Sequence, residues 1–185
     1  VVISDELYEK ITYGGIPHFS IGSIPEIAER TITVNGLSKA YAMTGWRIGY
    51  AAGCGAFGKK FIDSIGVMQG QMSTNITSFT YPAIRAALSS TAAEVEKMRQ
   101  AFAERAEVIY ARLQRVPGLQ CPKPTGAFYA FPDVSAHFGK TSAGGNGTPG
   151  RTIASAMDFC EALLAEQYVA FVPGEDFGGC GNKCV

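Results

Sequence analysis

The sequence predicts an α/β fold, and three observations carry that prediction. Residues 1–3, 31–34 and 48–52 are short apolar or β-branched runs, each closed by a polar or glycine-rich corner, as strands of a buried sheet are. Residues 91–116 repeat apolar side chains at helical spacing. Apolar residues make up 46% of the 185 and charged residues 17%, a balance that buries a core and excludes a disordered chain.

The first run, Val1-Val2-Ile3, gives way to Ser4-Asp5-Glu6, and the second, Thr31-Ile32-Thr33-Val34, meets the turn signal Asn35-Gly36. The third closes at Gly53. Strand ends of this kind are where α/β folds carry their ligand sites. Residues 57–70 read as weakly helical, residues 71–75 as a polar loop, and a second helix runs through residues 83–88. The long helix follows. Val95, Met98, Phe102, Ile109, Leu113 and Val116 form its apolar stripe, Thr91 with Glu94 fits a capping box, and Pro117-Gly118 stops it. Such a helix is long enough to bridge two domains. Residues 126–131 are expected to be an aromatic strand, residues 139–151 a mobile glycine-rich loop, residues 155–167 an amphipathic helix, and residues 168–172 a strand ended by Pro173-Gly174.

Sixteen basic residues balance sixteen acidic ones, so no broad field gathers nucleic acid or an anionic membrane, and a bound anion must be held by local groups. The five cysteines are odd in number and scattered, which favours reduced thiols in an intracellular, cytoplasmic setting over a disulfide framework. Cys180 and Cys184 lack the partners of a tetrahedral zinc site, since His18 and His137 stand far off in sequence, and no metal is expected. No run approaches the roughly 20 apolar residues of a membrane span. The chain opens on an apolar run without an initiator Met and is expected to be an internal piece of a longer protein.

The chemistry concentrates in residues 35–52, NGLSKAYAMTGWRIGYAA. Lys39 sits just past a strand end among small and apolar residues, next to Ser38. Partial desolvation there disfavours an ammonium ion and frees a lone pair for imine formation. Arg47, eight residues on, lies between Gly45 and Gly49, where an anion can approach backbone and guanidinium together. Its plain alternative is a salt bridge to a carboxylate such as Asp63. Asp5 and Tyr8 stand three apart where the first strand ends, placed to share one cavity. Their plain alternative is an Asp capping a turn and a Tyr in the core.

The segments SDELYEKITYGG and TITVNGLSKAYAMTGWRIGYAAG, with GAFYAFPDVS and VAFVPGEDFG further on, resemble the class I aminotransferases of fold type I, especially the aspartate and prephenate branch. The resemblance implies pyridoxal 5'-phosphate as cofactor and transamination between an amino acid and a 2-oxo acid, aspartate with 2-oxoglutarate first, prephenate or aromatic substrates second. It implies Lys39 as the Schiff-base and proton-shuttling lysine, Arg47 as the phosphate arginine, Asp5 as partner of the pyridine nitrogen and Tyr8 as partner of the ring oxygen. Gly36 falls where many relatives carry a phosphate-binding serine, so Ser38 or backbone amides are expected to substitute. It further implies that residues 1–90 are the C-terminal part of the large cofactor-binding domain and residues 91–185 the bridging helix and a truncated small domain. A homodimer follows by the same analogy.

Parts of the family's site are not found in this window: the glycine-containing phosphate loop, the aromatic residue stacked on the ring, the NPxNPTG-type asparagine and the arginine for the substrate carboxylate. This piece alone is therefore expected to be inactive. Two other readings compete. A non-catalytic aminotransferase-like domain would lack that arginine, and the neutral charge weighs against the nucleic-acid binding such domains accompany. A synthase or lyase of the same fold would share Lys39 and Arg47, and the MTGWR context favours transamination.

Overall fold

In a computed structural model describing residues 1–185, the chain forms two compact units. The first comprises residues 1–103 with 125–127, and the second residues 104–124 and 128–185.

The first unit is built on a three-stranded sheet in the order β1-β2-β3, with β1 Val2–Asp5, β2 Thr31–Gly36 and β3 Gly49–Gly53. β1 and β2 run parallel, pairing Val2 with Thr31 through Asp5 with Val34. β3 runs antiparallel to β2, pairing Ile32 with Gly53 through Gly36 with Gly49. This mixed order has a direct consequence for the site. The C-terminal ends of β1 and β2 and the N-terminal end of β3 all open on one edge of the sheet, so the segments carrying Asp5, Lys39 and Arg47 emerge together.

The Asn35-Gly36 pair is not a turn. β2 continues through both residues, and a Cβ at Gly36 would lie 2.8 Å from the Ile48 carbonyl oxygen, so the glycine there admits the neighbouring strand. A second close approach follows β3. The Cβ of any larger residue at Gly58 would fall 2.6 Å from the Gly53 carbonyl carbon, so α2, Gly55–Met72, packs its first turn directly on the strand end through Gly58. A short α1, Pro25–Ala28, precedes β2, and α3, Tyr81–Ser90, follows α2. Leu37, Ile48 and Ala87 form a buried cluster, flanked by Tyr41, Met43 and Ile84.

The long helix α4 spans Ala92–Leu113. The capping box expected at its start takes another form: the Thr91 hydroxyl donates back to the Ala87 carbonyl at 2.7 Å, tying the helix start to the end of α3. In the second unit, α5 spans Ala156–Gln167 and does carry a reciprocal cap. The Asp158 amide donates to the Ser155 hydroxyl at 3.1 Å, and the Asp158 carboxylate accepts from the Ala154 amide at 3.0 Å. The core of this unit is Val134, Ala156, Cys160 and Val185, with Leu119, Phe138 and Phe159 against it.

Two expectations for the second half change form. Residues 126–131 and 168–172 are not regular strands; local bridges occur instead, Thr12 with Gly126, and Asp133 with both Gln120 and Cys184. Aromatic and β-branched residues supply propensity, but a strand exists only where a partner runs alongside. The glycine-rich segment 139–151 is a tight double-back, not a loose loop. Thr141 bridges Thr152, Gly145 bridges Thr148, and Asn146 and Ser142 donate to the backbone and the carboxylate of Glu166. All five cysteines are free thiols, and no helix is long and apolar enough to cross a membrane.

Candidate active site

Lys39 owes its position to its neighbours. Leu37 is fully buried and Ala40 nearly so, pinning the chain on both sides of Ser38-Lys39, while Ile48 pins it beside Arg47. Hydrogen bonds close this loop on itself: the Leu37 amide donates to Ile48 O at 3.2 Å, Met43 to Leu37 O at 3.3 Å and Ala42 to Lys39 O at 3.3 Å. The side chains between the anchors, Ser38 and Lys39, are half-buried. The Lys39 ammonium stands over the Tyr8 ring, 5.8 Å from its centroid, a cation–π contact that joins the loop after β2 to the turn after β1.

Arg47 adopts the left-handed backbone conformation, φ 55°, as does Ala42 at φ 54°. Left-handed non-glycine residues are uncommon and concentrate at functional sites. No local sequence signal announced either. The Arg47 guanidinium is exposed and donates to Thr44 O at 2.9 Å. The carboxylate offered by the plain alternative is engaged elsewhere, since Asp63 pairs with Lys59 at 2.7 Å on α2.

Asp5 is exposed at the end of β1, and one of its carboxylate oxygens accepts from the Leu7 amide at 3.1 Å. The turn-capping alternative is thus realised, with the carboxylate still presented at the strand ends. Tyr8 is half-buried beneath Lys39. The structure brings Tyr8 and Lys39 into contact and sets Asp5, Ser38 and Arg47 on the same edge of the sheet.

One group of residues had no sequence signal as a unit. Glu6 is buried, and its carboxylate accepts from Ser4 Oγ at 3.0 Å and Ser20 Oγ at 2.8 Å and meets His18 Nε2 at 2.9 Å. Burial pushes its carboxyl up, but the hydrogen bonds from His18, Ser20 and Ser4 outweigh burial and hold it below the ordinary value. His18 stands alone in the sequence, and the fold gives it a partner twelve positions away.

A mixed sheet flanked by helices, with a lysine and an arginine at the ends of adjacent strands, defines the class as an α/β chain. Comparison with known proteins narrows the class. The family of class I and II aminotransferases matches residues 1–184, and the chain belongs to it, with the fold of type I aminotransferases. It is 43% identical over 183 residues to an aspartate aminotransferase of Geobacillus stearothermophilus, covering 98% of this chain and 43% of that protein. It is 40% identical over 178 residues to an aspartate/prephenate aminotransferase of Cereibacter sphaeroides, covering 96% of this chain and 42% of that protein. The crystal structure of an aspartate aminotransferase from Rhizobium meliloti superposes with a TM-score of 0.83 at 36% identity, over 95% of this chain and 42% of that one. The chain therefore spans less than half the length of the relatives it matches.

Proposed function

We propose that the protein containing this chain is a pyridoxal-phosphate aminotransferase that moves an amino group between an amino acid and a 2-oxo acid, aspartate with 2-oxoglutarate first. The observation that carries the reading is Lys39 poised over Tyr8 at the joint end of β1 and β2, with Arg47 entering β3 on the same edge. The donor set fits the cofactor group by group. A primary amine suits its aldehyde, a guanidinium suits its phosphate, a carboxylate suits its pyridine nitrogen and a phenol suits its ring oxygen.

Lys39 Nζ would hold the cofactor, Arg47 with neighbouring backbone amides and Ser38 would hold its phosphate, and Asp5 and Tyr8 would set the charge on its ring. When bound, the cofactor supplies a ring that accepts the electron pair left at the substrate α-carbon. Lys39 Nζ would take the proton from the substrate α-carbon and return it two atoms further along, to the carbon beyond the amino nitrogen. The Tyr8 ring below Nζ orients the amine for that transfer. The Asp5 carboxylate would keep a proton on the ring nitrogen. The buried anchors Leu37, Ala40 and Ile48 keep the lysine loop from drifting between the two half-reactions.

Relatives named for both aspartate and prephenate support prephenate as a second substrate. A homodimer and the division into a large cofactor domain up to residue 90 and a small domain from residue 91 belong to the same proposal, as does a cytoplasmic setting.

The test is a titration of the protein at its full natural length with pyridoxal phosphate, followed by borohydride reduction, peptide mapping and assay with aspartate and prephenate donors. The expected result is a label on Lys39, its loss in Lys39→Ala, and amino transfer to 2-oxoglutarate. A label on another lysine overturns the assignment.

A further inference from the structure

We infer that the buried Glu6 carboxylate is a positioning residue that fixes the turn from Asp5 to Tyr8, and through it the carboxylate and phenol assigned to the cofactor ring. The inference rests on the reading of Asp5, Tyr8 and Lys39 given above.

A carboxylate is rarely buried without partners, and Glu6, only 5% exposed, has partners from two directions. Ser4 comes from β1 itself, whereas His18 and Ser20 come from the segment leading toward α1. The side chain therefore clamps the end of β1 to a stretch of chain remote in sequence. The backbone of the same residue transmits that hold. The Glu6 amide donates to Val34 O at 2.9 Å, extending the β1–β2 pairing by one residue, and the Glu6 carbonyl accepts from the Glu9 amide at 3.0 Å. The turn is closed at its far side by the Ile11 amide on Tyr8 O at 2.8 Å, and Ile11 is fully buried. Tyr8 lies between these two fixed points, Asp5 directly precedes the first, and Lys39 stands over the Tyr8 ring. The Glu6 oxygens are taken up by Ser4, His18 and Ser20, so the side chain acts on the site through the turn.

Glu6, Glu9 and His18 also place three ligand atoms within 4.8 Å of one another, the spacing of a cation site. Protein donors already occupy the Glu6 oxygens of that group.

The test compares Glu6→Gln and Ser20→Ala with the wild-type protein at full natural length. Glutamine keeps the shape but turns an amide donor toward groups that also donate. Without cofactor, amide exchange at Leu7, Glu9 and Ile11 is expected to quicken about tenfold in Glu6→Gln, with the β2–β3 amides unchanged. With cofactor, the dissociation constant of pyridoxal phosphate is expected to rise about tenfold and the pH midpoint of its absorbance band to shift, as its ring contacts loosen. Ser20→Ala, which leaves two of the three partners, is expected to show smaller changes of the same sign and serves where Glu6→Gln fails to fold. Wild-type exchange in the turn together with a wild-type dissociation constant overturns the inference, and so does equal quickening at the β2–β3 amides, which marks general destabilisation. A borohydride label away from Lys39 overturns the cofactor reading instead, while the exchange arm still reports whether Glu6 holds the turn.

Discussion

At Glu6 burial and hydrogen bonding act in opposite directions, and the outcome sets an acid dependence. Burial raises the carboxyl above 4.5, the bonds from His18, Ser20 and Ser4 lower it, and the net shift is downward. A lowered folded value means a contribution to stability that is present above pH 4.5 and lost as pH falls through the folded value. In a urea series from pH 6 to pH 3, wild type is therefore expected to lose stability more steeply below about pH 4.5 than Glu6→Gln; parallel curves would remove Glu6 from the acid response. Ala42 poses a different test. Its φ of 54° costs an L-residue roughly 1 kcal/mol, and glycine adopts it freely. Ala42→Gly is expected to stabilise by about 0.5 kcal/mol and to leave cofactor affinity unchanged, as read by thermal melting and absorbance titration. A loss of stability would mean that the methyl group makes contacts outweighing the backbone strain.

The elements differ in how far local chemistry explains them. α5 starts at Ser155 because its hydroxyl accepts the Asp158 amide, and Ser155→Ala is expected to cost about 1 kcal/mol, visible as a lower urea midpoint and faster exchange in the first turn of α5. An unchanged midpoint would show that packing of Ala156 and Cys160 alone sets the helix start. β2 is the opposite case. Its centre position, parallel to β1 and antiparallel to β3, lets Asn35-Gly36 remain extended where the dipeptide by itself favours a turn. The stretches 126–131 and 168–172 fail in the other sense, having strand composition without a ladder partner.

Across the whole molecule, large apolar side chains stand on the surface of both units. Val67, Met68, Met72 and Phe79 are more than half exposed in the first, and Tyr168 and Phe177 in the second. Exposed apolar side chains mark contact surfaces where they join into one patch. The 185-residue chain alone is expected to bind a hydrophobic dye strongly and to elute as species larger than 19.6 kDa. A monomer without dye binding would show that these side chains are tolerated singly and form no contact surface.

The sequence by itself determined the α/β class, the three strands in place within two residues, the long helix, and the SK and GWRxGY motifs in which Lys39 and Arg47 stand. These are legible because strand and helix periods and short motifs are local patterns. Tertiary structure alone decided that Glu6 meets His18, that Gly53 and Gly58 touch, that Tyr8 lies beneath Lys39, and that the glycine-rich segment 139–151 is held to the end of α5. Each of those depends on chain segments meeting across a fold, where burial and hydrogen-bond geometry select partners that spacing along the chain leaves open.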